Sequence, residues 1–171
     1  MTNFTDSNSL TTRGGHPQRS SVSASPLILI VEDHEDTRYM LRILLEMRGM
    51  CVVEAGDGET GLTVAAEIHP DLILMDLSLP TLDGLAIIRL VRAHETLLHV
   101  PIVVTSGHAF PKFKVEAFAA GCSDYLVKPI DFEELDCILL KYLSLNGASQ
   151  NGRTGIVREF LSPGRSNRDG I

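Results

Sequence analysis

The chain has 171 residues, a formal net charge of −7, 44% hydrophobic residues and no tryptophan. This length accommodates one domain of ordinary size with flanking segments, and the acidic balance disfavours nucleic acid as a partner. No stretch approaches the roughly 20 apolar residues of a membrane span, and the polar N-terminus lacks the apolar segment of a secretory signal, so we expect a cytoplasmic protein with no membrane partner and no direct DNA binding.

Composition divides the chain into three segments. Residues 1–25 are polar and without hydrophobic periodicity, which predicts a disordered N-terminal arm. Residues 26–145 carry a regular hydrophobic pattern, and residues 146–171 return to Asn, Gly, Ser and Arg, which predicts a disordered tail. The 26 residues of that tail are too few for a second hydrophobic core, so no output domain is expected there.

The patterned region alternates short apolar runs with amphipathic segments. The apolar runs predict buried strands near residues 27–31, 51–53, 72–75, 101–104 and 125–127. The amphipathic segments predict helices near residues 35–48, 57–68, 84–93 and 113–120, and a last one from residue 131. This alternation predicts a three-layer, doubly wound α/β fold around a five-stranded parallel sheet, in the flavodoxin-like order 2-1-3-4-5.

The same pattern predicts which side chains face the core. Two helices carry the apolar stripes Met40, Leu41, Leu44, Leu45 and Met47, and Leu85, Ile88, Leu90 and Val91. The three cysteines, Cys51, Cys122 and Cys137, are isolated and odd in number, which favours reduced core residues over a disulfide or zinc framework.

Polar residues stand at the ends of four of the predicted strands. They are Glu32 and Asp33 after the first strand, Asp76 after the third, Thr105 after the fourth and Lys128 after the fifth. Because the carboxyl ends of parallel strands meet at one edge, we expect these side chains to lie together. Three neighbouring carboxylates repel one another, and a hard divalent cation such as Mg²⁺ removes that penalty. No glycine-rich loop follows the first strand, so a metal site is favoured over a nucleotide cradle.

This constellation favours phosphoryl transfer to Asp76. An aspartate is already ionised at pH 7 and needs no general base to attack phosphorus. The reaction asks mainly for positioning and charge stabilisation, which Mg²⁺, Lys128 and the Thr105 hydroxyl would supply. Taken singly, each residue has a plainer interpretation: Asp76 and Thr105 as strand-end caps, and Lys128 as a solvated loop lysine.

The runs LILIVEDHEDTR, LILMDLSLPTLDG, VVTSG and DYLVKP resemble the receiver domain of two-component response regulators. The resemblance covers about residues 26–145. It implies that Asp76 accepts a phosphoryl group from a histidine kinase or phosphotransfer protein. It also implies that Mg²⁺ is bound directly by Asp33 and Asp76, with Glu32 assisting through water and the backbone carbonyl of Ser78 completing the site.

The resemblance assigns three further roles. Thr105 and Lys128 contact the phosphoryl group, Tyr125 is the aromatic residue that rotates as the domain switches, and the bond before Pro129 is cis. Tyr125 as ordinary core packing is the alternative to the switching role. His34, next to Asp33, suggests a metal ligand, but we favour an exposed histidine outside the metal site.

Three functions follow from this interpretation. The first is a phosphorylation-switched receiver, itself not an enzyme, that binds an unknown downstream protein through its fourth helix, fifth strand and fifth helix. The second is a phosphate-independent scaffold with the same fold. The third is a Mg²⁺-dependent phosphatase of the haloacid-dehalogenase type, which expects a second aspartate where this chain has Ser78.

Overall fold

The computed structural model of the chain describes residues 25–79 and 84–148, with side chains up to residue 143. Most of the two predicted disordered flanks, and the residues that precede the third helix, lie outside the described residues. Among the described residues, the last helix continues to Ala148, three residues past the domain boundary predicted at residue 145.

The strands are β1 Leu27–Val31, β2 Cys51–Ala55, β3 Leu72–Asp76, β4 Ile102–Ser106 and β5 Asp124–Val127. The helices are α1 Glu35–Met47, α2 Gly58–Ile68, α3 Gly84–Ala93, α4 Pro111–Ala120 and α5 Phe132–Ala148, with a 3₁₀ turn at Glu95–Leu97. All strand pairs are parallel and the sheet order is β2-β1-β3-β4-β5, which confirms the predicted topology.

The sheet is covered on both faces, which explains why its central strands read as unbroken apolar runs. Alternate residues of β1 and β3 point to opposite sides. On one side they pack against α2, α3 and α4, and on the other against α1 and α5. β3 and β4 are buried at every position, so their carboxyl ends are held in place by the core.

Several predicted core positions are wrong. Met40, Met47 and Leu90 are exposed, because each helix contacts the sheet through a narrow stripe such as Leu41 and Leu45, one turn apart. In α3, Ile87 takes the buried position that Leu90 was expected to share.

The cysteine prediction holds only in part. Cys122 is buried, whereas Cys51 is exposed at the start of the edge strand β2 and Cys137 is exposed on α5. All three are free thiols.

Helix ends follow the expected side-chain chemistry. Asp57 caps α2 by accepting a hydrogen bond from the Thr60 N–H at 2.8 Å, and Asp131 accepts from the N–H groups of Glu133 and Glu134 at the start of α5. Gly121 ends α4 with φ +110°, a conformation that glycine adopts without strain. None of the described helices is both long and apolar enough to cross a bilayer.

Candidate functional site

The structure brings the predicted strand-end residues to one edge of the sheet. Asp76 is the last residue of β3, and Thr105 is its register partner on β4. Glu32 and Asp33 directly follow β1. Lys128 directly follows β5, and its backbone N–H donates to the Ser106 carbonyl at 2.8 Å.

Lys128 joins two buried carboxylates. Its Nζ donates to Glu32 Oε2 at 2.7 Å and to Asp76 Oδ2 at 2.8 Å. The side chain of Glu32 is fully buried and that of Asp76 is 1% exposed. Burial by itself lowers the pKa of Lys128, but hydrogen bonds and charge attraction from Asp76 and Glu32 outweigh it, so that pKa is raised. The ammonium therefore stays charged at neutral pH and offsets one of the negative charges of the site.

The Asp76 carboxylate is held at both oxygens. Oδ2 accepts from Lys128, and Oδ1 accepts from the backbone N–H of Ser78 at 3.0 Å. Each oxygen thus has its own hydrogen-bond donor, and together the two bonds fix the orientation of the carboxylate group. The site thus contains an oriented aspartate side chain at the end of a fully buried strand.

A second group of possible ligands lies beside this pair. In the part of the chain that the structure describes, the ligand atoms of Glu32, Asp33 and His34 all lie within 4.8 Å of one another. Glu32 Oε1 is buried and has no hydrogen-bond partner among the described residues. A buried carboxylate oxygen without a donor calls for a cation, and oxygen ligands suit Mg²⁺. The residues therefore fit a divalent metal ion.

This group of three shares two residues with the predicted metal set. Glu32 and Asp33 belong to it, and Asp76 is linked to it through Lys128 rather than being one of its three members. Ser78 adjoins Asp76 through its backbone N–H. His34 is exposed, as expected, yet its Nδ1 lies 3.0 Å from Asp33 Oδ1.

The sequence interpretation missed Arg38. Its Nη1 donates to the backbone carbonyls of Glu32 at 2.7 Å and Asp33 at 3.3 Å, which fixes the loop that presents the acidic pair. Arg38 stands in the motif EDHEDTR, but contacts to main-chain carbonyls leave no residue pattern that would have revealed this role.

Tyr125 lies under the loop that follows β4. It is 2% exposed, and its hydroxyl donates to the His108 carbonyl at 2.7 Å. The His108 N–H in turn donates to Ser106 Oγ at 3.1 Å, and Thr105 is buried beside them. The peptide bond between Lys128 and Pro129 is cis.

Comparison with known proteins decides the family. The model of the response regulator receiver domain matches residues 28–139. The chain belongs to the response regulator receiver domain family. Such receiver domains are the phosphoacceptor modules of two-component signalling, and they interact with histidine kinases and with downstream targets.

Two curated relatives show how the receiver domain relates to longer proteins. The polar-differentiation response regulator DivK of Brucella ovis is 33% identical over 116 residues, which cover 68% of this chain and 94% of DivK. The regulatory protein AtoC of Escherichia coli is 36% identical over 126 residues, 74% of this chain but 27% of AtoC. The chain spans about half the length of two further curated relatives. These are the transcriptional regulator RpaA of Synechocystis, of which it covers 46%, and the transcriptional regulatory protein KdpE of Escherichia coli, of which it covers 53%.

Solved structures agree on the fold. A putative response regulator from Chloroflexus aurantiacus superposes with a TM-score of 0.68 at 30% identity, covering 71% of this chain and 99% of that one. The receiver domain of the histidine kinase PA1611 from Pseudomonas aeruginosa gives 0.66 at 34% identity, with the same coverage of both chains. That domain was crystallised with magnesium coordinated in its active-site cleft.

Proposed function

We propose that Asp76 is the phosphoacceptor of this receiver domain, taking a phosphoryl group from a histidine kinase or phosphotransfer protein in a Mg²⁺-dependent reaction. The observation that carries the proposal is the Asp76 carboxylate at the end of β3, held by the Lys128 ammonium at 2.8 Å beside the acidic group. The protein would work as a signalling phosphoacceptor that assists only its own phosphorylation and dephosphorylation.

The transfer needs little from the protein beyond placement and charge. An Asp76 carboxylate oxygen forms a bond to phosphorus while the phosphorus–nitrogen bond of a phosphohistidine breaks, and the released imidazole takes up a proton from solvent. Lys128 and the Thr105 hydroxyl hold the phosphoryl oxygens. Bound Mg²⁺ would supply further neutralisation of the phosphoryl charge, and the residues that would hold it are Asp33 and Asp76, with the Ser78 backbone carbonyl and Glu32 assisting.

Phosphorylation would change the charge around Lys128. A phosphoryl group carries up to two negative charges near neutral pH, where the free carboxylate carries one. It therefore competes with Glu32 for the ammonium and attracts the Thr105 hydroxyl. We propose that this local rearrangement reaches the β4–α4 loop, where the Tyr125 hydroxyl already holds the His108 carbonyl.

The proposed output is altered binding of an unidentified protein at the surface formed by α4, β5 and α5. Several apolar side chains of α4, β5 and the residue that precedes α4 are exposed, namely Phe110, Val115, Phe118 and Val127. Exposed apolar area of this kind is typical of protein-binding surfaces.

The direct test is modification by acetyl phosphate in the presence of Mg²⁺, followed by intact mass measurement. We expect one added phosphoryl group on the wild type, none with chelator and none on Asp76→Asn. Asp71→Asn is the matched control, because Asp71 precedes the same strand at its opposite end and binds the Leu27 N–H. A folded wild type that stays unmodified, or equal modification of Asp76→Asn, would overturn the proposal.

A further inference from the structure

His34 contributes a nitrogen atom to the acidic group. Its Nδ1 lies 3.0 Å from Asp33 Oδ1 and 3.5 Å from Glu32 Oε1. His34 is also the N-cap residue of α1, but its side chain makes no capping hydrogen bond. The imidazole is thus directed at the two carboxylates and not at the helix end.

These separations suit a single metal ion. Around a six-coordinate ion with bonds of about 2.1 Å, neighbouring ligand atoms lie about 3.0 Å apart, and around a tetrahedral ion about 3.4 Å. The 3.0 Å distance from Nδ1 to Asp33 Oδ1 equals the first separation, and the 3.5 Å distance to Glu32 Oε1 lies near the second. Glu32 Oε1, one of these atoms, is the buried oxygen that lacks a hydrogen-bond donor among the described residues.

The third ligand atom, the imidazole nitrogen of His34, affects which metal ion the site prefers. Two carboxylates alone suit Mg²⁺, whereas imidazole nitrogen is a preferred ligand of Zn²⁺, Ni²⁺, Fe²⁺ and Cu²⁺. Mg²⁺ also retains its waters and gains little from a nitrogen ligand. We propose that His34 is a metal ligand that makes this site prefer divalent transition metals over Mg²⁺. The inference rests on the metal site of the proposed function, and it concerns which ion that site selects.

The alternative role of His34 Nδ1 is to carry a proton and donate a hydrogen bond to the Asp33 carboxylate. The two arrangements are distinguishable, because a metal-bound Nδ1 has no proton whereas a hydrogen-bond donor retains one. His34→Asn keeps a donor near the Nδ1 position and removes the imidazole. His99→Asn is the matched control, since His99 is exposed and precedes β4, away from the carboxyl edge.

The experiment titrates Zn²⁺ and Mg²⁺ separately into wild type, His34→Asn and His99→Asn by calorimetry, without any phosphodonor. We expect His34→Asn to weaken Zn²⁺ binding at least about tenfold, which is about 1.4 kcal/mol, and Mg²⁺ binding less than about threefold. Retained Mg²⁺ binding also shows that the variant's site is folded. His99→Asn should match the wild type for both ions.

Nuclear magnetic resonance gives the second readout. Long-range ¹H–¹⁵N spectra of the Zn²⁺-loaded wild type should show Nδ1 of His34 without a proton and shifted from its metal-free position. The inference is overturned if Nδ1 keeps its proton in the loaded protein, if both ions weaken equally in His34→Asn, or if His99→Asn loses Zn²⁺ to the same extent.

The Zn²⁺ titrations of the three proteins are also made in the Asp76→Asn background, because Asp76 is not one of the three clustered ligands. A failure of phosphorylation at Asp76 leaves the His34 comparison intact. A failure of the His34 comparison leaves the Mg²⁺-dependent phosphoacceptor role standing. The two proposals therefore fail separately.

Discussion

Replacing Lys128 by methionine removes the one cation that the structure shows bonded to both Glu32 and Asp76. The two carboxylates are then buried without their shared donor. Breaking a buried ion pair on one side costs about 3–5 kcal/mol. Because the Lys128 side chain is 26% exposed, water recovers part of that cost, and we expect a loss of about 2–3 kcal/mol at pH 7 in metal-free buffer.

Urea unfolding followed by far-ultraviolet circular dichroism measures this loss, since the chain has no tryptophan. The matched control is Lys141→Met, whose more exposed ammonium bonds Asp124 at 3.0 Å and whose loss should cost much less stability than that of Lys128. Adding Asp76→Asn should recover part of the Lys128→Met loss, because one of the two unpaired charges disappears. Mg²⁺ should stabilise Lys128→Met more than the wild type.

The sign of the pH dependence is fixed by the pKa of Lys128, which is raised in the folded protein. Stabilisation by the ammonium is fully present below its ordinary pKa and is lost as the pH rises through the folded pKa. The difference in unfolding free energy between wild type and Lys128→Met should therefore be the same at pH 7 and at pH 9. Suppose instead that Lys128→Met lowers the unfolding free energy by less than about 0.5 kcal/mol and that its effect simply adds to that of Asp76→Asn. This result would refute the proposed interaction.

Three further outcomes follow from single contacts. Burial raises the pKa of Cys122 to about 11. Iodoacetamide at pH 8 should therefore label Cys122 at least about 100-fold more slowly than the exposed cysteines. Equal labelling rates, measured by peptide mass mapping, would contradict this. Gly61→Ala places a Cβ 2.8 Å from Val31 Cγ2, so the unfolding free energy should fall by about 1–3 kcal/mol, whereas unchanged stability would disprove the tight contact. Tyr125→Phe removes the bond to the His108 carbonyl and should cost about 1 kcal/mol in urea unfolding, a neutral result arguing against that bond.

Strands were predicted well where both faces are buried, and less well at the sheet edge. β3 and β4 are apolar along most of their length because helices cover both sides. β2 is an edge strand with exposed Cys51 and Glu54. The apolar run therefore ends at residue 53 in the sequence, two residues before the strand ends.

The site was predicted as a set of positions because parallel strands carry their carboxyl ends to one edge. What the sequence could not supply is the direction of each side chain. Lys128 was expected to serve a phosphoryl group and lies between Glu32 and Asp76 in the structure. The orientation of His34 and the carbonyl contacts of Arg38 depend on how α1 packs against β1, which residue spacing does not encode.

Reductive mapping of the phosphorylated residue tests the central claim most directly. Borohydride reduces an aspartyl phosphate to homoserine, so a wild-type sample treated with acetyl phosphate and Mg²⁺, reduced and digested, should carry homoserine at position 76. Asp76→Asn, which removes the carboxylate bonded to Lys128, should give no homoserine peptide. Homoserine at another aspartate such as Asp33, or at none in a folded and modified wild type, would contradict the account.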